Sequence, residues 1–382
     1  MNDLKGQIMR IKVMSFIIHM GCGGAQELLL NYLRKFKDDK DIDFKLFVIE
    51  KRRDSKYAYI IDKEKLNVKY LNLENINDYK FGFKKIFYLY KTTTSIIKEI
   101  KEFRPDCVHT HLTQILHIVI LPFKLCNIHK WIHTLHSNPC ANKIKDCNLS
   151  KYVYKHEGTL PLCITETQLE RAKSKYNISS NVILLRNGVD INDISMRMEK
   201  KDTVRKRLGL LKDDFIILAV GRMSKVKNYE FLIDIFYVIK KYKPNSKLII
   251  AGGGDPTNIE NKIEICGLTN SVILTEELDN VVPLYCATDV YVMPSISEAC
   301  PYALLEAQIV GCKCVVSEAI CDDVICTNNI YRLSLECSFE EWAKCILWNL
   351  KSYQLEKKAD LNDYDIDRVC IKLKQIYLQL QK

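Results

Sequence analysis

Short apolar runs alternate with longer amphipathic segments along the chain, and this alternation predicts the fold. A short run rich in Val, Ile, Leu and Phe is typical of a strand buried on both faces, whereas apolar residues spaced by three and four indicate a helix. Repeated strand and helix units predict an α/β fold of doubly wound parallel sheets. The predicted strands form two series, residues 11–18, 44–49, 107–109, 131–133, 162–164 and 182–184, then 215–220, 247–250, 272–274, 290–293 and 314–316.

The two series meet near residues 187–193, where Asn187-Gly188 is typical of a turn. We therefore expect one Rossmann-like domain over residues 1–188 and a second over residues 189–360. A chain of 382 residues with 47% hydrophobic residues can supply two or three cores. No apolar run reaches the roughly 18 residues that would cross a bilayer, and the first residues lack a secretory segment. The sequence therefore predicts a cytoplasmic protein.

Two glutamates, Glu298 and Glu306, lie in a predicted strand, loop and helix at residues 289–311. Pro301 begins the Ala- and Leu-rich helix and Gly311 ends it. A carboxylate can accept hydrogen bonds from two neighbouring sugar hydroxyls, and a helix N-terminus can hold a phosphate. The segment therefore suits a nucleotide sugar. The alternative interpretation is that both glutamates are ordinary solvent-facing residues of the helix.

The first predicted strand of each series is followed by a loop with candidate phosphate chemistry. Residues 21–24, Gly-Cys-Gly-Gly, lack the third glycine of a dinucleotide fingerprint, because Gln26 stands in its place. Residues 220–228 contain Arg222 and Lys227, two cations that can stabilise a departing diphosphate. The alternatives are a dehydrogenase for the first loop and a solvated basic loop for the second.

Taken together, these segments resemble the family 4 retaining glycosyltransferases, whose GT-B fold has two facing Rossmann-like domains with a cleft between them. Residues 298–306 match the E-x7-E signature of that family, and residues 221–228 resemble its basic loop. Pro301 and Ala307-Gln308 are similar to the branch that builds capsular polysaccharide and exopolysaccharide. The resemblance implies that residues 1–188 bind the acceptor, that residues 189–360 bind the donor, and that residues 361–382 form a helix crossing back onto the N-terminal domain.

The resemblance also implies a role for each matching residue. Glu298 would contact the donor sugar and Glu306 the ribose, Arg222 and Lys227 would hold the diphosphate, and His136 would help to orient the sugar. The implied catalytic residues are Arg222, Lys227, Glu298 and His136. The implied donor-binding residues are Gly23, Gly24, Gly221, Arg222, Lys227, Glu298, Ala299, Cys300, Pro301 and Glu306.

The sequence departs from the family pattern at three places. Ala299-Cys300 stands where glycine and an apolar residue are usual, Gln26 replaces an acid, and Glu276 replaces a glycine near the base. Glycine allows the closest backbone approach to a ligand, so the first departure bears on how the sugar is held. Glu276 bears on which base is accepted.

The activity implied by the resemblance is that of a retaining hexosyltransferase. It would move a sugar from a nucleotide donor, expected to be a UDP-sugar, to a lipid-linked cell-surface glycan, without a metal or another cofactor. Asp363, Asp365 and Asp367 are expected to serve the start of a helix rather than to hold a metal. The alternatives are a nucleotide-sugar epimerase of the same architecture and a non-catalytic glycan-binding or scaffold subunit.

The chain has a net charge of +10, and part of its positive charge is concentrated at residues 80–101. Lysines alternate there with Phe, Tyr and Ile in a predicted helix. Such a helix can lie on an anionic membrane, here the inner face of the plasma membrane. The alternative is an ordinary amphipathic helix with a lysine-rich solvent face. No nucleic-acid partner is expected, since no such motif accompanies the charge. The 16 cysteines, none spaced as Cys-x-x-Cys, are expected to be reduced thiols.

Overall fold

The structure is a computed structural model that describes residues 10–21, 23–52, 56–74, 83–139, 144–178, 181–348 and 350–381. The chain divides into two compact units. The first unit is Met1–Gly188 together with Ile366–Lys382, and the second is Val189–Asp365. Within the described residues, each unit is built on one sheet of seven strands with helices packed against it.

The sheet of the first unit is parallel throughout and has the order β3-β2-β1-β4-β5-β6-β7. Its strands are β1 Ile11–Ile17, β2 Ile42–Glu50, β3 Val68–Leu73, β4 Cys107–His111, β5 Trp131–Leu135, β6 Leu160–Cys163 and β7 Ile183–Leu184. The helices between them are α1 Gly24–Phe36, α2 Lys56–Lys63, α3 Phe83–Phe103, α4 Leu116–Leu125, α5 Ile144–His156 and α6 Glu166–Tyr176.

The second unit repeats this order as β10-β9-β8-β11-β12-β13-β14, with only the last strand antiparallel among those described. Its strands are β8 Phe215–Val220, β9 Ser246–Ala251, β10 Val272–Thr275, β11 Val290–Met293, β12 Lys313–Ser317, β13 Ile330–Leu333 and β14 Gln354–Leu355. Its helices are α7 Ile191–Met196, α8 Lys201–Arg207, α9 Tyr229–Tyr242, α10 Thr257–Ile265, α11 Val282–Ala287, α12 Tyr302–Val310 and α13 Phe339–Trp348.

The strand order reverses between β1 and β4 in the first sheet and between β8 and β11 in the second. At such a reversal, the helices that follow the two strands go to opposite faces of the sheet and leave a crevice at the carboxyl ends of the strands. Ligands of open α/β sheets bind in that crevice. The loops after β1, β4, β8 and β11 are therefore the places where a site is expected.

The last helix, α14 Ile366–Gln379, returns to the first unit after the chain has completed the second. It packs against α1 and β1, and Leu373 and Tyr377 are fully buried there. Lys374 donates to Asp39 at 2.9 Å and to Asp41 at 2.7 Å. The first unit is therefore assembled from two parts of the chain that are separated by an entire second unit.

The prediction of an α/β fold with two Rossmann-like sheets is confirmed by these topologies. The predicted C-terminal strand at residues 314–316 is slightly longer, Lys313–Ser317. The prediction that all cysteines are reduced was wrong for Cys147, which is disulfide-bonded, whereas the other described cysteines are free thiols. No helix in the described parts of the chain is long and apolar enough to cross a membrane.

The basic helix predicted at residues 80–101 corresponds to α3. Residues 80–82 and the side chains of residues 83–85, which carry three of the predicted lysines, lie outside the described residues. Farther along, Tyr88, Ile96 and Ile100 are buried against the core, and Phe87 and Tyr90 are exposed. The helix therefore has an ordinary core-facing side, and its contact with a membrane stays a prediction.

Candidate functional site

Two glycines allow the loop after β8 to lie directly against the loop after β9. A Cβ added at Gly252 would lie 2.3 Å from the carbonyl oxygen of Gly221, and one at Gly254 would lie 2.8 Å from that of Met223. Gly221, Gly252 and Gly254 all have positive φ angles, 148°, 147° and 126°. The glycine-rich run at residues 252–254 therefore serves a close backbone approach that brings the basic loop down onto the sheet.

Lys227 and Glu298 form an ion pair that joins the loops after β8 and β11. Nζ of Lys227 lies 2.7 Å from Oε1 of Glu298, and their side chains are only 18% and 14% exposed. A backbone hydrogen bond also joins these two loops, because the amide of Ile296 donates to the carbonyl of Val226 at 2.8 Å. These two loops come from the strands on either side of the reversal, so the pair lies where a ligand is expected.

Residues around the pair complete its position. Lys225–Lys227 form one 3-10 turn, and Asn228, with φ of 57°, then allows the chain to enter α9. The hydroxyl of Tyr229 donates to the carbonyl of Gly221 at 3.0 Å, and burial raises the pKa of that phenol, so it remains a neutral donor. Arg222 lies in the same loop and is exposed. The loop thus carries three cations, Arg222, Lys225 and Lys227, and Lys227 is held against a carboxylate.

Glu306 is held by a residue that the sequence analysis missed. The buried hydroxyl of Tyr285, on α11, lies 3.0 Å from Oε2 of Glu306 and 3.0 Å from the carbonyl of Ala303. Burial, with the nearby Glu306 carboxylate, raises the pKa of Tyr285 well above its ordinary value, so the phenol stays protonated and donates. A signal existed in the sequence, because a tyrosine on an apolar helix needs a partner for its hydroxyl.

The segment between these glutamates leads into α12. Pro301 precedes the first helical residue, Tyr302, and Gly311 ends the helix with φ of 86°. Cys300 is buried, at 8% exposed, and Ala299 is partly buried. Residues 299–301 therefore form the approach to the helix N-terminus, beside the Glu298 end of the ion pair. Glu276 follows β10 and is exposed.

In the first unit, the predicted glycines form the entry to α1. Gly24 is its first residue, and the carbonyl of Gly23 accepts from the amide of Glu27 at 3.0 Å. Gln26 is buried and its amide donates to the carbonyl of His19 at 3.3 Å. The glutamine that replaces the usual acid therefore has a structural contact, with the turn after β1.

His136 follows β5 and pairs with His111 at the end of β4. Nε2 of His136 lies 3.1 Å from Nδ1 of His111. Burial lowers the pKa of His136 to about 4 and that of His111 well below its ordinary value, so both rings are neutral near neutral pH. The structure therefore brings together Lys227 with Glu298 in the second unit, and His136 with His111 in the first.

Comparison with known proteins finds a family match for most of the second unit. Residues 200–365 match the family described as glycosyl transferases group 1. The chain carries a group 1 glycosyltransferase domain. The matched region contains Arg222, Lys227, Glu298 and Glu306, and the resemblance to glycosyltransferases that these residues indicated is confirmed at the level of this family.

Relatives of this chain include two named bacterial glycosyltransferases. The chain is 24% identical over 316 residues to an Escherichia coli UDP-Gal:alpha-D-GlcNAc-diphosphoundecaprenol alpha-1,3-galactosyltransferase, covering 76% of this chain and 79% of the relative. It is 21% identical to the Staphylococcus aureus capsular polysaccharide biosynthesis glycosyltransferase CapH, covering 96% and 99%. The structure of Anabaena HepE with UDP and glucose superposes with a TM-score of 0.76 at 14% identity, covering 97% and 100%. That superposition supports the fold.

We predict that Gly252→Ala destabilises the second unit strongly. The new Cβ would overlap the Gly221 carbonyl at 2.3 Å in a backbone region that disfavours side chains, which should cost roughly 2 to 5 kcal/mol. The melting temperature should fall by at least about 5 °C.

Gly253→Ala is the matched control. Its Cβ would meet only Glu277, at an ordinary contact distance of 3.7 Å, and the φ of Gly253 lies outside the range that disfavours side chains. Thermal unfolding followed by circular dichroism compares the two variants. Equal melting temperatures would show that the loops after β8 and β9 can move apart freely.

Proposed function

We propose that this protein is a retaining, metal-independent glycosyltransferase that moves a sugar from a UDP-sugar to a lipid-linked cell-surface glycan. The ion pair of Lys227 with Glu298 is the observation that carries the proposal. It joins a cation, which would hold a diphosphate, to a carboxylate, which would accept bonds from sugar hydroxyls, at the sheet reversal. The name of the E. coli relative specifies a UDP-sugar and a diphosphoundecaprenol acceptor, which supports this choice of donor and acceptor.

Without a donor, Lys227 and Glu298 neutralise each other. A diphosphate is a stronger partner for a lysine than one carboxylate, because it carries more charge on more oxygens. Donor binding would therefore draw Lys227 from Glu298 and free the carboxylate to accept bonds from the hydroxyls of the sugar. Both halves of the pair would then hold the same ligand, one at its diphosphate and one at its sugar.

The chemical step would break the bond between the anomeric carbon and the diphosphate oxygen. The acceptor oxygen would form its new bond to the same face of the anomeric carbon, and its proton would pass to the departing diphosphate, leaving UDP as product. Lys227 and Arg222 would stabilise the negative charge that builds on that diphosphate. The proposal needs neither a metal nor a protein nucleophile.

Incubation of the purified protein with a panel of UDP-sugars in excess EDTA tests this function. We expect slow hydrolysis that releases UDP and free sugar, because water can replace the acceptor. A changed sugar still attached to UDP would instead establish the epimerase. Binding of UDP without any turnover would favour the non-catalytic subunit, and activity that returns only with Mg²⁺ or Mn²⁺ would contradict metal independence.

We predict that Arg222→Ala and Lys227→Ala each lower turnover by roughly two to four orders of magnitude, the scale on which a fixed charge stabiliser acts. Binding of the intact UDP-sugar should fall less, because extra negative charge builds on the diphosphate only as its bond to the sugar breaks. Lys225→Ala is the control, since Lys225 is an exposed lysine of the same loop. Single-turnover rates and calorimetric affinities for the intact UDP-sugar would be measured for the three variants. Normal turnover in both test variants removes them from the mechanism.

The two glutamates should separate by kinetics. Glu306→Gln should mainly raise the KM for the donor, because a ribose contact acts equally in the ground and transition states. Glu298→Gln should mainly lower kcat, since this carboxylate would be beside the transferred sugar. Each loss should be at least about tenfold, given roughly 1.5 to 3 kcal/mol per charged hydrogen bond.

Glu264→Gln, an exposed glutamate of α10, is the control for the loss of a negative charge. Steady-state kinetics with the donor identified above would give KM and kcat for the three variants. If Glu298→Gln and Glu306→Gln both stay within about twofold of the parent, the proposed sugar and ribose contacts are absent.

A further inference from the structure

Two neighbouring strands of the first unit end in histidines at the edge where the sheet order reverses. His109 and His111 lie on β4, and His136 directly follows β5. The two strands are parallel neighbours, with His111 opposite Thr134, so their carboxyl ends meet. His111 is fully buried, and His136 is partly exposed. Of the two paired rings, His136 is therefore the one that a ligand can reach.

The ring of His109 is fixed in place and supports the ring of His111. Its Nδ1 lies 2.7 Å from the hydroxyl of Tyr377, and its Nε2 lies 2.7 Å from the hydroxyl of Thr134. Both of its nitrogens are thus occupied, and the ring cannot turn without losing a hydrogen bond. The ring of His111 lies on it, with centroids 4.2 Å apart. His111 is therefore held in one orientation.

The contact between His111 and His136 requires one proton between two nitrogens. Nδ1 of His111 and Nε2 of His136 are 3.1 Å apart, a hydrogen-bond distance, so one nitrogen must donate and the other must accept. Burial keeps both rings neutral, and each ring therefore carries a single N–H. The position of the proton on His111 then determines the position of the proton on His136.

The second ring nitrogen of His111, Nε2, determines which of the two histidines donates the hydrogen bond. Its Nε2 is fully buried and has no hydrogen-bond partner among the described residues. A buried N–H without an acceptor is the rarer and more costly case, whereas a bare acceptor atom is better tolerated. Nε2 of His111 is therefore the unprotonated nitrogen, and its Nδ1–H donates to Nε2 of His136. This leaves the single proton of His136 on Nδ1.

We propose that His111 is a positioning residue that fixes His136 as a neutral Nδ1–H donor for a sugar oxygen of a ligand bound at the first unit. The identity of that ligand rests on the proposed function, whereas the tautomer does not. In this state His136 donates a hydrogen bond from Nδ1 and has no free lone pair with which to remove a proton. His136 therefore orients the sugar and is not the base that deprotonates the acceptor.

Nitrogen NMR of the full chain tests the tautomer without any activity. With ¹⁵N-histidine, long-range proton–nitrogen correlations separate protonated from unprotonated ring nitrogens, and His111→Asn and His136→Asn assign the signals by their loss. We expect both His111 and His136 of the parent protein to carry the proton on Nδ1. A His136 protonated on Nε2 overturns the proposal, whatever the enzyme assays show.

Two substitutions at His111 test its positioning role. Asn keeps a donor near the place of Nδ1, whereas Leu has similar size and no donor. His111→Leu should lower kcat for UDP-sugar hydrolysis about tenfold, on the scale of one hydrogen bond, with a donor KM within about threefold. In this variant, the proton of His136 should move, at least in part, to Nε2. His111→Asn should retain kcat within about threefold and keep His136 protonated on Nδ1.

Equal kcat values in the two variants, or a parent-like His136 spectrum in His111→Leu, would overturn the positioning role. The parent spectrum remains decisive on the tautomer if His111→Leu does not fold. If no UDP-sugar is turned over, the proposed function fails, while the NMR result still establishes or refutes the donor state of His136.

Discussion

A stack of close contacts that begins with two glycines fixes the cation of the candidate donor site. The backbone of Gly252 lies so near the carbonyl of Gly221 that no side chain fits between them. Gly221 in turn has no side chain to keep Lys227 away, since a Cβ there would lie 2.8 Å from Cε of that lysine. Lys227 is thereby laid across the loop with its ammonium at Glu298. Without this layering, the lysine would extend into solvent as its neighbour Lys225 does.

The sequence was sufficient to predict the architecture and the position in the fold of the loops that carry the candidate site residues. Strands buried on both faces leave continuous apolar runs, and each loop is fixed by the strand that it follows. For this reason the basic loop after β8 and the glutamates flanking the start of α12 could be located before the structure. The glycine-rich run after β9 could also be recognised, although its purpose, a close approach to another loop, depends on which strands are neighbours.

The side-chain pairs could not be predicted in the same way. Lys227 and Glu298 are 71 residues apart, and Tyr285 reaches Glu306 from a different helix. Periodicity shows which face of an element is buried but not which atom meets which across the sheet. The histidines of β4 and β5 illustrate this limit, because a strand in the middle of a parallel sheet is expected to be apolar. Buried polar groups are tolerated there because Tyr377, Thr134 and Thr110 supply most of their hydrogen bonds.

The return of α14 to the first unit has a consequence for the order of events during synthesis. Tyr377, which fixes His109, is translated only after the whole second unit has been synthesised. The second unit is continuous in sequence and can fold as soon as it emerges, whereas the first unit must wait with the surface of α1 and β1 uncovered. The histidine pair thus acquires its fixed geometry last, so a chain that ended before α14 would have a complete second unit and an unfinished first unit. Uncovered apolar surface of this kind is what chaperones and proteases recognise.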